Sequence, residues 1–245
     1  MKISVCMATY NGGKHIKEQL DSILNQDLSA FPDAVLEIII SDDGSTDDTL
    51  NIINSYQDDR IKVLHHKKGK NHHFYNNLYA ATANFINALS VATGEYLFFS
   101  DQDDVWYPEK ISETLQVLMK NGGVVATAFD IIDDEDKNIG EVIYQEESFW
   151  KLKKHHSTYG FGMGISREEL KYILPMPSLI PQHDTFIHHI AQRRKKLFFI
   201  NKKCAAHRWT EKENTSNTAN NVPAYIKLLT KLYMYATVIY RCYVR

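Results

Sequence analysis

Residues 97–108 read Leu97-Phe98-Phe99-Ser100-Asp101-Gln102-Asp103-Asp104-Val105-Trp106-Tyr107-Pro108. The apolar run over 95–100 predicts a buried strand, and Pro108 marks the first turn of a following helix. Three carboxylates lie directly past the strand. In open α/β sheets, ligands bind in the crevice at the carboxyl ends of parallel strands. Asp101 and Asp103 are two residues apart, so both can turn toward one hard cation. Oxygen ligands of this kind suit Mg²⁺ or Mn²⁺, ions that commonly bind substrate phosphates as well. A solvated acidic turn capping the next helix is the plainer reading of the same residues, and the neighbouring stretches decide between the two.

Working toward the N-terminus, residues 2–8 predict a strand that stops at the turn cluster Thr9-Tyr10-Asn11-Gly12-Gly13. Ile16, Leu20, Ile23 and Leu24 then follow helical spacing. Val35 to Ile40 is a nearly continuous apolar strand, as in a parallel sheet covered on both faces. It empties into Ser41-Asp42-Asp43-Gly44-Ser45-Thr46-Asp47-Asp48-Thr49, where Ser45 or Thr46 can cap a helix. A short strand at 61–64 and a helix from Phe74 to Thr93, ended by Gly94, complete this half. Strand–helix alternation predicts a doubly wound, mostly parallel sheet over residues 1 to about 100. Three loops, at 9–13, 41–49 and 101–104, then open on one edge. Amide, aromatic and carboxylate groups with room for a cation suit a ribonucleotide bearing a pyrophosphate.

Toward the C-terminus the pattern is mixed. A helix from 108 carries Ile111, Leu115 and Leu118 inward, and 124–129 is a strand. Residues 133–141 read as an acidic turn and 145–156 as a polar linker. Thr158 to Ser166 is Gly-rich, read as a close-approach segment lining the acceptor side of a cleft. Helices are expected from near Ser166 and over 184–194, and a late strand at Leu197–Ile200. Residues 210–222 read as flexible, before a terminal helix from Pro223.

With 44% hydrophobic and 24% charged residues, the composition is that of an ordinary globular domain. A net charge of −2 gives no basic field for nucleic acid. Cys6, Cys204 and Cys242, odd in number and far apart, point to reduced thiols and a cytoplasmic setting. No stretch approaches the ~18 apolar residues of a spanning helix. Neither a P-loop nor a dinucleotide Gly-x-Gly-x-x-Gly is present. Histidines at 65–66, 72–73, 155–156 and 188–189 are adjacent pairs, poor chelates on either a strand or a helix, so zinc is not expected.

Val5-Cys6-Met7-Ala8-Thr9-Tyr10-Asn11-Gly12, Ser41-Asp42-Asp43-Gly44-Ser45-Thr46-Asp47 and Asp101-Gln102-Asp103-Asp104-Val105-Trp106-Tyr107-Pro108 together resemble glycosyltransferase family 2, in particular its bacterial rhamnosyltransferase-like members. The resemblance covers residues 1 to about 210. It implies a GT-A fold, a Rossmann-like mostly parallel sheet flanked by helices, with a nucleotide-sugar-binding half (1–107) and an acceptor-binding half (108–210). It also implies a UDP- or dTDP-sugar donor, Mn²⁺ or Mg²⁺, and inversion at the anomeric carbon. Carried onto this sequence, Thr9, Tyr10, Asn11 and Gln102 would border the donor, and Asp43 or Asp42 would meet the base. Asn84 would lie in the donor site. Asp101 would approach the ribose and Asp103 the metal, with Asp101 and His207 within reach of that ion; the adjacent Asp104 leaves the register open by one residue. Gln182-His183-Asp184 resembles the segment carrying the catalytic base, assigned to Asp184. Arg208 or His207 would stabilise the departing diphosphate. The acceptor implied is a hydroxyl of a polysaccharide or lipid-linked glycan. A catalytically silent nucleotide-binding subunit is the alternative.

The segment 211–245 stands apart. On a helix, Lys227, Lys231, Arg241 and Arg245 share one side, while Leu229, Leu232, Ala236, Ile239, Tyr240 and Tyr243 crowd the other. Peripheral contact of 223–245 with the inner membrane surface, docking on the domain body, and a homodimer are the readings this leaves open.

Overall fold

The computed structural model describes residues 1–66, 76–144, 158–209 and 222–244. Strands β1 (Lys2–Thr9), β2 (Val35–Asp42), β3 (Ile61–His65) and β4 (Tyr96–Ser100) form the parallel half of a sheet, in the order β3-β2-β1-β4. Helices α1 (Ile16–Leu24), α2 (Thr49–Ser55) and α3 (Asn76–Val91) connect them. Side chains alternate between the faces, as the strand period requires. Val5, Met7, Ile38, Ile40 and Phe98 pack with Ile16, Leu20 and Ile23 of α1. Cys6, Ile39, Leu97 and Phe99 pack with Phe85, Ala88 and Leu89 of α3.

The second half continues the same sheet. The short β5 (Val105–Trp106) precedes α4 (Lys110–Asn121), followed by β6 (Val124–Ile132), β7 (Asn138–Val142) and β8 (Met163–Ser166). The short α5 (Leu170–Ile173), α6 (His183–Arg193), β9 (Leu197–Arg208) and α7 (Ala224–Tyr243) complete the described elements. β8 is antiparallel to both β4 and β6, β9 runs parallel to β6, and β5 closes the far edge antiparallel to β9.

Several expectations are corrected. β9 runs twelve residues, to Arg208 rather than Ile200. A register shift against β6 absorbs Asn201 and Lys202, so a polar pair that reads as a strand end is a bulge. The acidic turn expected over 133–141 gives way at 138 to the edge strand β7, Asn138–Val142; its polar sequence suits an edge. Helix α2 begins at Thr49, and Asp47, not Ser45 or Thr46, receives the Thr49 amide at 3.1 Å. Gly94 follows α3 because a Cβ there would lie 2.5 Å from the Ser4 amide nitrogen, rather than to provide a left-handed turn. The expected 145–156 linker, the histidine pairs at 72–73 and 155–156, residues 210–221 and Arg245 lie outside the described residues.

At the sheet's amino end, the buried Glu37 carboxylate accepts Ser4 Oγ at 2.6 Å and the Thr93 amide and hydroxyl at 2.8 Å each. Lys2 Nζ stands 2.8 Å away. Burial opposes ionisation of Glu37, but Lys2, Ser4 and Thr93 together pull its carboxyl down to about 2.

Candidate active site

At the sheet's carboxyl end the loops after β1, β2 and β4 meet. Gln102 joins two of them: its Oε1 accepts from Thr9 Oγ1 at 2.7 Å and the Tyr10 amide at 2.8 Å, and its Nε2 donates to Tyr10 O at 3.2 Å. Gly12 lies against this amide, where a Cβ would come 2.4 Å from Oε1. Asn11, at φ +49°, receives the Thr46 amide on its Oδ1 at 2.8 Å and gives its own amide to Ser45 Oγ at 2.9 Å. Tyr10 is exposed on the rim.

The two candidate base-binding carboxylates separate by their contacts. Asp42 folds back on its own turn, accepting the Gly44 and Ser45 amides at 2.9 Å each. Asp43 is buried as well, with His66 Nδ1 2.9 Å from its Oδ1. Beside it, buried Asn84 donates Nδ2 to Thr9 O at 3.2 Å, and its Oδ1 is buried without a hydrogen-bond partner.

The acidic loop after β4 resolves similarly. Asp104 is turned inward and buried: its Oδ1 lies 2.7 Å from His207 Nδ1 and accepts the Arg208 amide at 3.3 Å. The Asp104 carbonyl receives the amide of buried Gln19 at 2.6 Å. Asp101 and Asp103 are left on the cleft, part-exposed at its floor yet hemmed in by protein. Burial, then the charge of Asp104, pushes the Asp103 carboxyl up to about 7. Burial also raises Asp101 well above the usual range, helped by Asp104, Asp103 and Asp184. Burial opposes the charge on His207, but Asp104, Asp101 and Asp103 outweigh it and raise the imidazole. Its ring stacks on Phe161, centroids 4.8 Å apart.

Asp184 sits in the first turn of α6, across the cleft and near enough for its charge to act on Asp101 and Tyr159. Gly160 permits that approach: a Cβ there would stand 2.7 Å from His183 Nε2 and 3.7 Å from Asp184 Cβ. His183 itself is buried against Phe85 and Phe99.

The structure adds detail at two of the expected site groups. Arg208 does not present a free guanidinium to the cleft. Its Nε donates to Asp103 O at 3.2 Å, Nη1 to Asp133 O at 2.8 Å and Nη2 to Glu18 Oε2 at 2.9 Å, with Asp136 a further 2.6 Å partner. It is a buried strut between the acidic loop, α1 and the β6–β7 turn. Asp101, Asp103 and His207 also do not form a preformed cage; among the described residues no three His, Cys, Asp or Glu side chains do. Asp104 takes the Nδ1 side of His207 and so orients the ring. What remains is a pair of crowded carboxyls beside a ring whose Nε2 carries no protein hydrogen bond among the described contacts. That donor set fits a divalent cation held by one or two protein ligands and completed by substrate phosphates.

Residues 4–174 match the model of glycosyl transferase family 2. The chain belongs to glycosyltransferase family 2. It is 29% identical over 208 residues to the dTDP-rhamnosyl transferase RfbG of Shigella flexneri, covering 80% of this chain and 68% of that protein. It is 36% identical over 117 residues to the Escherichia coli UDP-Glc:alpha-D-GlcNAc-diphosphoundecaprenol beta-1,3-glucosyltransferase WfaP, covering 47% of this chain and 41% of WfaP. The chain spans less than half the length of several curated relatives it matches. The structure of S. aureus TarS 1–349 in complex with UDP-GlcNAc superposes with a TM-score of 0.75 at 21% identity, covering 98% of this chain and 67% of that one. The expected GT-A fold is therefore the observed one. Among the described residues no helix is long and apolar enough to cross a membrane.

Sequence reading missed β5 and the bulged end of β9, and with them the roles of Asp104, Gln19 and Arg208. Only the apolar-then-polar character of 197–208 could have hinted at a bulged strand.

Proposed function

We propose that this protein transfers a sugar from a UDP- or dTDP-linked donor to a hydroxyl of a polysaccharide or lipid-linked glycan, inverting the anomeric carbon. The observation that carries the reading is that the part-exposed Asp101 and Asp103 carboxyls at the carboxyl end of the sheet, raised by burial and then by Asp104, gather with His207, and that Asp184 of α6 is near enough to act on Asp101. The donor names of RfbG, WfaP and TarS support the two nucleotide classes.

In this reading Asp43 and the unpartnered Asn84 Oδ1 receive N–H groups of the base, and Asp101 the ribose hydroxyls. Asp103, with Asp101 or His207 Nε2, would hold Mn²⁺ or Mg²⁺, which when bound neutralises the donor diphosphate. Asp184 accepts the proton of the acceptor hydroxyl as its oxygen bonds to the anomeric carbon. The bond from that carbon to the diphosphate breaks, and the electron pair leaves with the phosphate oxygen. Arg208 holds the Asp103 backbone in place throughout.

Thermal unfolding with UDP, dTDP, GDP and CMP, each with and without Mn²⁺, tests the donor site. A ligand at 100 times its dissociation constant adds about 2.7 kcal/mol, and a Mn²⁺-dependent shift with UDP or dTDP is expected. Asp184→Asn should leave that shift intact and lower transfer by ~10²–10⁴-fold. Full activity in this variant overturns the base assignment. No shift with any nucleotide overturns the donor site.

A further inference from the structure

Helix α7 docks on the body by one side only. Met234 and Val238 are buried with Ile180, Phe186 and Ile190. Arg241 is buried with them, donating to Tyr172 O at 2.9 Å and Ile173 O at 2.6 Å. This is the side on which the sequence places the basic stripe. Of the cations on that side, Arg241 meets the body while Lys227 and Lys231 stay exposed, and the apolar face points outward.

That outward face is organised. Tyr225, Leu228, Leu229, Leu232, Ile239, Tyr240 and Tyr243 are 47–66% exposed, and Ala236 is exposed among them. At ~100° per residue all eight fall within an arc of about 120°, opposite the docked residues. Six of them, Tyr225, Leu229, Leu232, Ala236, Ile239 and Tyr243, step by four and three alternately, the spacing of a two-helix seam. No charged residue lies on this face; Lys227 and Lys231 fall outside its arc and are exposed.

We propose that this face is a dimer interface, in which α7 packs antiparallel against α7 of a second copy of this chain. The seam is self-complementary under a two-fold axis through position 234. Such an axis sets Tyr225 against the partner's Tyr243, Leu229 against the partner's Ile239, and Leu232 against the partner's Ala236. Aromatic meets aromatic at both ends, and the small residue receives the large one at the centre, as an isologous contact requires. A parallel pair would instead set alanine against alanine and leave a gap. Antiparallel alignment also opposes the helix dipoles favourably. The exposed side chains offer roughly 700 Å² per copy, near the ~800 Å² per partner of a standard stable interface.

Sedimentation velocity of the full chain at increasing concentration should show a monomer–dimer equilibrium. Leu232→Glu should raise the dimer dissociation constant at least ~100-fold without changing the melting temperature of the monomer, because the residue is exposed in it. Lys227→Glu, off the seam, should leave the dimer intact. Oxidising an equimolar mixture of Leu232→Cys and Ala236→Cys chains should give the mixed disulfide over either homodimer. A monomer at all concentrations overturns the proposal, as does a Leu232→Cys homodimer forming in preference, which would mean parallel helices. A monomer that pellets with phosphatidylglycerol vesicles also overturns it and assigns the face to lipid.

Discussion

Two groups of buried carboxylates sit at opposite ends of the same sheet and behave oppositely. At the amino end, Glu37 is satisfied by Ser4, Thr93 and Lys2, and its carboxyl falls to about 2. At the carboxyl end, Asp103 rises to about 7 under burial and the charge of Asp104. Both lie in apolar surroundings that penalise charge. The difference is whether the protein supplies the compensating groups. Where it does, the carboxylate ties β1, β2 and the end of α3 together. Where it does not, the shortfall is left for a cationic or hydrogen-bonding ligand, which marks a working site.

The comparison is broken most severely by Asp103→Asn. Transfer should fall by ~10³-fold, about 4 kcal/mol of transition-state stabilisation, while the melting temperature stays unchanged or rises. Assay and thermal scan on the same sample check it, and a matched loss of stability would place Asp103 with Glu37 as a structural group.

Glu37→Gln should do the reverse. Folded Glu37 titrates below its unfolded value of 4.5, so its contribution is present above about pH 4.5 and lost as pH falls toward 2. Removing the charge should cost on the order of 3 kcal/mol at pH 7, flatten the acid limb of the stability curve between those limits, and leave the Michaelis constants alone. Urea titrations at pH 7 and pH 3 give the two points needed; equal losses at both would mean that packing, not charge, is the contribution.

Arg208 lies between the extremes, a cation the protein does supply, but to the backbone of the acidic loop rather than to its carboxylates. Arg208→Lys keeps the charge and loses the fork that spans Asp103, Asp133 and Glu18. Stability should drop by ~2 kcal/mol and turnover with it. A rise in donor KM at unchanged melting temperature would return Arg208 to the diphosphate.

The parallel half was legible because strands buried on both faces leave uninterrupted apolar runs, and because strand ends with Asp43 and Asp101 to Asp104 must share an edge once the sheet is doubly wound. What was hidden is the division of labour inside each acidic run. Asp42 and Asp43, like Asp103 and Asp104, are chemically identical neighbours. Only the fold decides which turns inward: Asp42 is taken by the Gly44 and Ser45 amides of its own turn, whereas Asp104 is taken by His207 and Arg208 at the end of β9, more than 100 residues away in sequence. The outward turn of α7 was hidden for a related reason: an amphipathic pattern fixes which residues share a side, not which side faces the body.

The smallest expected effect concerns the joint between the Thr9 and Asp101 loops. Gln102 makes three hydrogen bonds to Thr9 and Tyr10, all near the surface, so Gln102→Ala should cost only ~1 kcal/mol of stability and raise donor KM several-fold with turnover little changed. Gly12→Ala should produce the same signature, since its Cβ would displace the Gln102 amide. If the clash is the whole effect, Gly12→Ala made in the Gln102→Ala background should cost almost nothing further. A double-mutant cycle reads this directly, because two residues acting through one contact are not additive. Additive losses would mean that Gly12 is required for the loop's backbone path itself, and that Gln102 touches the donor rather than merely holding the rim of its pocket.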